Sequence, residues 1–171
     1  MKKFRKYWGW RVDAEATYIE RMAHRGQELI AIDSWPRYHF KQVLPLRGTV
    51  QLDYQANREL ASYQQFLEDA GWQVMATRPQ LFGTWVYWYN DDPQAKLYSD
   101  QTSKLELLNR LRIRWGIYEL LLLVWAAFMF WNVADSFGLV VTSLLVLIVL
   151  GATTLNLVGL TQQANHLSRR L

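Results

Sequence analysis

WGIYELLLLVWAAFMFWNV at 115–133 and FGLVVTSLLVLIVLGATTLNLVGL at 137–160 contain a single formally charged side chain, Glu119. An apolar run of about 20 residues, rising about 1.5 Å each, spans a hydrocarbon core of about 30 Å; a helix on a soluble protein interrupts such a run with a polar face. The pair therefore reads as a two-helix membrane hairpin turning at Ala134, Asp135 and Ser136. Lys104, Arg110, Arg112 and Arg114 precede the first span, Arg169 and Arg170 follow the second, and the turn carries neither lysine nor arginine. Cations are retained on the cytoplasmic side, so the expected topology is a multi-pass protein of the cell membrane with both termini cytoplasmic. Trp115 and Trp131 suit the two interfacial belts, and Trp125 falls near mid-depth, against the second helix or lipid.

Outward from the first span, 101–114 reads as a basic amphipathic juxtamembrane helix, with Leu107, Leu108 and Leu111 on one side and Arg110, Arg112 and Arg114 largely elsewhere. With Lys104, these cations are the expected contacts to anionic lipid, each contributing about 1 kcal/mol near a charged leaflet. A polar linker at 90–104 separates this segment from the remainder. The chain thus divides into a domain at 1–100, the juxtamembrane helix at 101–114, the transmembrane hairpin at 115–160 and a tail at 161–171. Over 171 residues the composition is 51% hydrophobic with a net charge of +4, and the near-neutral mean hydropathy averages a polar first part with an oily last part. Cysteine is absent, which excludes disulfides, thiol nucleophiles and cysteine metal sites. Residues 1–6 are basic but no apolar run follows them, so no signal peptide is expected.

The first 100 residues read as an α+β domain written twice, with a sheet carrying two helices on one face. In the first half, 8–12 is an expected strand, Asp13 an N-cap, and Gly26 the end of a helix before strands at 28–32 and 38–42. In the second, 50–54 is strand, Asn57 the cap, and Gly71 the stop before strands at 72–77 and 84–89. A shift of about 45 positions superposes Tyr18 on Tyr63, Met22 on Leu67, Gly26 on Gly71, Leu29 on Val74 and Ala31 on Ala76, a duplicated β-α-β-β unit. Tyr18 with Met22, and Tyr63 with Phe66, Leu67 and Ala70, give each helix an apolar stripe. Strand 84–89 breaks the one-sided pattern, because Trp85, Tyr87 and Tyr89 point one way while Val86 and Trp88 point the other. That second patch is either covered from within, by a loop such as Pro79 to Gly83 or by the following linker, or, with Met75, Val86 and Trp88, forms a surface for a partner.

Catalytic constellations are not found in the sequence. No glycine-rich phosphate loop occurs, His24, His39 and His166 are widely separated, and Glu68–Asp69 and Asp91–Asp92 are neighbours along the chain rather than opposed acids. Neither cofactor nor metal is expected, and neither soluble helix is basic enough to enter a nucleic-acid groove. One intramembrane constellation stands out. Antiparallel packing about the Asp135 turn brings Glu119 to the level of Thr153 and within about one turn of Asn156, where polar groups between membrane helices add roughly 0.6 to 2 kcal/mol to packing.

The residues YIERMAHRG at 18–26, YHF at 38–40, FLEDAGW at 66–72, Trp85–Tyr87 and LYSDQTSK at 97–104 resemble the bacterial domain-of-unknown-function family numbered 2812 (DUF2812) over nearly all of 8–114. DAGW and LYSD…SK are the most specific pieces; Gln27 and Trp88 depart from positions where that family tends toward aromatic and basic residues. The resemblance implies membrane-anchored members with two C-terminal helices, often encoded near PadR-like transcription regulators, and brings no catalytic residues with it. The expected function is a non-enzymatic, membrane-anchored cytoplasmic module that binds and regulates a protein or membrane component. The alternative is an accessory subunit of a membrane transporter or enzyme complex, docking through Gly151, Ala152 and Asn156. The lipid bilayer and an unidentified protein are the expected partners, self-association is possible on this reading, and nucleic acid is not expected.

Overall fold

The computed structural model describes residues 2–4, 11–33, 37–81, 83–98, 101–132 and 136–169. The chain forms two compact units, Met1–Asp100 and Gln101–Leu171. The first contains β1 (Lys2–Phe4), α1 (Val12–His24), β2 (Gln27–Ile32), β3 (Arg37–Gln42), β4 (Thr49–Gln55), α2 (Leu60–Asp69), β5 (Gln73–Gln80) and β6 (Gly83–Asn90); the second contains α3 (Gln101–Asn132) and α4 (Ser136–Ser168).

The single sheet expected from the alternation is two antiparallel three-stranded sheets, ordered β1-β3-β2 and β4-β6-β5. They meet where the edge strands β2 and β5 approach each other. The two halves nonetheless run through the same elements in the same order. Each helix stops at a glycine in the left-handed region, Gly26 at φ 73° and Gly71 at φ 83°, which a Cβ would strain. Each following hairpin carries a register shift at the same distance from that glycine, between Leu29 and Ala31 and between Val74 and Ala76. A bulge here inserts a residue and increases local twist.

Several local expectations are displaced. The first strand is Lys2–Phe4; of the segment expected as strand at 8–12, residues 8–10 lie outside the described residues and Val12 already opens α1. Asp13 sits in the first turn of α1, favourable to the helix dipole, while Arg11 occupies the cap position without a side-chain cap bond. Asn57 likewise does not cap α2, which starts later at Leu60; its Oδ1 accepts a hydrogen bond from Thr84 Oγ1 at 2.8 Å. The buried stripe of α1 is Val12, Glu15, Ile19, Met22 and Ala23, with Tyr18 at its margin; in α2 only Leu67 is fully buried and Phe66 points outward.

The helices do not share a face. α1 packs against β4 as well as β2, on the side where Tyr38 and Tyr87 point. Leu67, on α2, packs with Val86 and Trp88 on the other side of β6. The cause is visible in β6 itself: Trp85, Tyr87 and Tyr89 face one way, Val86 and Trp88 the other, and all five are buried. An apolar strand on both faces requires cover on both.

The outer strand β4 has its exposed backbone groups taken by side chains. Glu20 Oε2 accepts from Val50 N at 3.0 Å and from Thr49 Oγ1 at 2.9 Å, the Tyr98 hydroxyl donates to Leu52 O at 3.1 Å, and Tyr54 N donates to Asp53 Oδ1 at 2.7 Å. Such pairing blunts an edge that would otherwise recruit another strand.

In the second unit α3 and α4, with 32 and 33 residues, pack against each other. At about 1.5 Å per residue each is close to 50 Å long, well beyond a hydrocarbon core of about 30 Å. The juxtamembrane segment 101–114 is therefore no separate element but the opening turns of α3.

Candidate functional site

The side of the second sheet that carries Trp88 is the most elaborated surface of the domain, and it is closed. Leu67, Trp72, Val86 and Trp88 form a buried cluster against which Leu60, Tyr63, Val74, Ala95 and Leu97 pack. Tyr63 meets the Trp88 ring edge-on at 6.4 Å. The segment after β6 crosses this face as a strap. Gln51 holds it twice, its Nε2 donating to Ala95 O at 3.1 Å and its Oε1 accepting from Leu97 N at 2.8 Å. Tyr98 then donates to Asp53 Oδ1 at 2.8 Å, while Gln55 Nε2 donates to Asp53 Oδ2 at 2.5 Å.

Of the two alternatives for Met75, Val86 and Trp88, cover from within is the one found at Val86 and Trp88, which are not available as a contact surface. Trp88 is 0% and Val86 1% exposed, because α2 and the strap cover them; Met75 is half-buried at the bulge. The linker expected to separate domain from anchor does part of that covering. Gln51, Asp53 and Tyr98 were not legible as a set, since they are distant in sequence and only the ladder brings them together. Trp88 Nε1 has no hydrogen-bond partner among the described residues.

A second buried polar group ties the two sheets together. Glu15, 1% exposed, accepts at Oε1 from the Tyr38 hydroxyl at 2.8 Å and the Tyr87 hydroxyl at 2.5 Å. Its signal in the sequence is an acid at helical spacing from Ile19 and Met22, inside an apolar stripe. A buried carboxylate is retained where hydrogen bonds replace water. Nearby, the Tyr89 hydroxyl donates to Asp91 at 2.9 Å and accepts from Gly48 N at 3.2 Å; burial, followed by the Asp91 contact, raises its pKa. On the first sheet, Asp33 pairs with His39 at 2.7 Å and Arg37 at 3.3 Å, and the His39 hydrogen bond leads the lowering of its pKa. His24 lies 3.0 Å from Gly48 O. No group of three or more His, Cys, Asp or Glu side chains able to hold a metal occurs among the described residues.

In the hairpin, Glu119 finds a partner across the helices one residue from the expected place: Thr154 Oγ1 donates to Glu119 Oε1 at 2.7 Å. Thr153 donates instead to Leu150 O of its own helix at 3.0 Å. Asn156, 2% exposed, has an Oδ1 without a hydrogen-bond partner among the described residues. Its burial makes it unavailable to another span, whereas Gly151 is exposed, with nothing within 4 Å of where a Cβ would stand. Lys104, Arg110 and Arg112 are half-buried and Arg114 is 5% exposed, its guanidinium 5.6 Å from the Trp115 ring centroid. The Ala134–Asp135 part of the turn and Arg170 lie outside the described residues.

Both helices are long and apolar enough to cross a membrane, and only 11% of the apolar window of each is buried, unlike the core helix of a soluble protein. Leu120, Val124, Phe128, Trp131, Leu147 and Ile148 are among the large apolar side chains left on the surface. These make α3 and α4 candidate membrane spans.

The sequence model of a family described as a protein of unknown function, DUF2812, matches residues 11–120, which covers α1 through the Glu119 level of α3. No curated protein and no solved structure matches.

Proposed function

We propose, from the premise that the chain belongs to the DUF2812 family, that it is a membrane-anchored, non-enzymatic cytoplasmic module that binds a protein or membrane component and regulates it. The observation that carries this reading is the join between the units. A domain closed on both faces of its second sheet is followed, directly after its hydrogen-bonded strap, by helices whose apolar surface faces outward. The basic flanks support placing both termini in the cytoplasm, with Lys104, Arg110 and Arg112 toward anionic headgroups and Arg114, 5% exposed, held within the protein instead. The shared element order, the matching glycines and the matching bulges support reading the domain as a duplicated β-α-β-β unit. A link to a PadR-like regulator circuit belongs to the same proposal and rests on the family resemblance.

The alternative, an accessory subunit of a transporter or membrane enzyme, is favoured by one observation, the open surface at Gly151. Capture from native membranes with the full chain and with residues 101–171 alone separates the two. A partner that requires residues 1–100 supports the regulatory module; one retained by the hairpin alone supports the accessory subunit and overturns the leading proposal.

A further inference from the structure

Among the described residues, no helix or strap packs on one face of the first sheet, unlike the second. By the strand registers, Lys2 and Phe4 of β1, Arg37, His39 and Lys41 of β3, and Glu28 and Ala31 of β2 share the side away from Tyr38 and Phe40. The opposite side belongs to α1, as shown by the Tyr18–Tyr38 ring contact at 5.8 Å and by Lys3 Nζ at 3.5 Å from Met22 Sδ. On the open side Phe4 is 62% exposed, and Ile30, lifted out at the bulge, is 51% exposed.

Two exposed apolar side chains among lysines and an arginine make a surface suited to an interface of headgroups and acyl chains. Lys2, Arg37 and Lys41 outweigh Glu28 and Asp33, which leaves one net positive charge with His39 neutral and one more when it is protonated. α2 is charged the other way, with Arg58 and Glu59 at its start and Glu68 and Asp69 at its end.

From these exposed apolar and basic side chains we infer that the β1-β3-β2 face away from α1 docks on the anionic leaflet of the membrane in which the chain is anchored, Phe4 and Ile30 entering the interface and Lys2, Arg37 and Lys41 meeting headgroups. The inference rests on the membrane reading of α3 and α4. Tethering makes docking an intramolecular step, so a small net attraction suffices to populate it.

The chain lacks cysteine, so a single introduced thiol reports one place. Full-length Ala31→Cys and Gln65→Cys, labelled with an environment-sensitive dye, are reconstituted into vesicles of phosphatidylcholine alone or with an equal part of phosphatidylserine. Quenching by neutral acrylamide is then measured. The expected result is about a fivefold higher ratio of protected to accessible label at position 31 in the anionic vesicles, the ratio one net cation supplies near such a leaflet. Position 65, on the acidic helix, should remain equally quenched in both. Raised salt should remove the protection without any substitution, and Lys2→Glu, Arg37→Glu and Lys41→Glu together should do the same. Equal quenching at position 31 in both vesicles, equal protection at position 65, or protection that disappears on diluting protein in lipid, which marks a second copy, overturns the inference. Flotation keeps the two readings apart: an unprotected label on a protein that floats with vesicles refutes the docking alone, and a protein that does not float refutes the anchor.

Discussion

Trp88→Ala tests whether the strapped face is interior or interface. The side chain is 0% exposed and sits among Leu67, Trp72 and Val86, with Tyr63, Val74, Ala95 and Leu97 around them. Deleting a buried tryptophan side chain costs about 3 to 5 kcal/mol in lost transfer and residual cavity, and the edge-on Tyr63 contact adds about 0.5 to 1.5 kcal/mol. A small domain has about 5 to 15 kcal/mol in total, so the variant should be near the limit of folding. Trp88→Phe keeps most of the apolar volume and removes the indole N–H that has no partner among the described residues, and should lose less than half as much. Hydrogen exchange at β6 and α2 in the full chain in detergent reports the local opening free energy of both variants, while exchange in α4 serves as the unaffected reference. A loss below about 1 kcal/mol for Trp88→Ala would refute the reasoning, because it would mean that α2 and the strap do not pack on the ring.

Three further outcomes follow from named contacts. Glu15→Ala should destabilise the domain by about 2 to 5 kcal/mol, since two buried tyrosine hydroxyls lose their acceptor, and Glu15→Gln by less; urea unfolding monitored by tyrosine and tryptophan fluorescence reads both. The Tyr89 phenol should ionise above its ordinary value of 10.0, and a raised acid of this kind favours the folded state fully below the unfolded pKa, a contribution lost as pH rises through the folded one; alkaline ultraviolet titration of wild type against Tyr89→Phe shows whether one late phenol disappears. Gly26→Ala and Gly71→Ala both force a left-handed residue at about 1 to 2 kcal/mol. Gly26→Ala should cost more, because its Cβ would stand 2.6 Å from Val43 O while that of Gly71 meets nothing nearer than 3.6 Å; equal losses in thermal unfolding would contradict this.

What the sequence made legible follows the range over which each signal acts. The apolar runs and the two glycine stops are local, and α3, α4, Gly26 and Gly71 are where periodicity places them. Five of the six strands coincide with expected segments because alternation is also local. The partition into two sheets, and the choice of which helix covers which face, depend on register between distant strands, and no window of sequence contains that information. Trp88 shows the consequence. Its direction, opposite to Trp85, is readable from the period of a strand, and the following linker is one of the covers the sequence offers for it; the contacts that hold that cover are not readable, because Gln51, Ala95, Leu97 and Tyr98 assemble through pairings far apart in the chain. The same residues that close the face also occupy the outer edge of β4, where Tyr98 takes Leu52 O beside the Glu20 contacts to Val50 and Thr49. With both faces of the second sheet and that edge occupied from within, the first sheet is where Phe4, Ile30, Lys2 and Lys41 are exposed among the described residues, which is why the proposed docking is placed there.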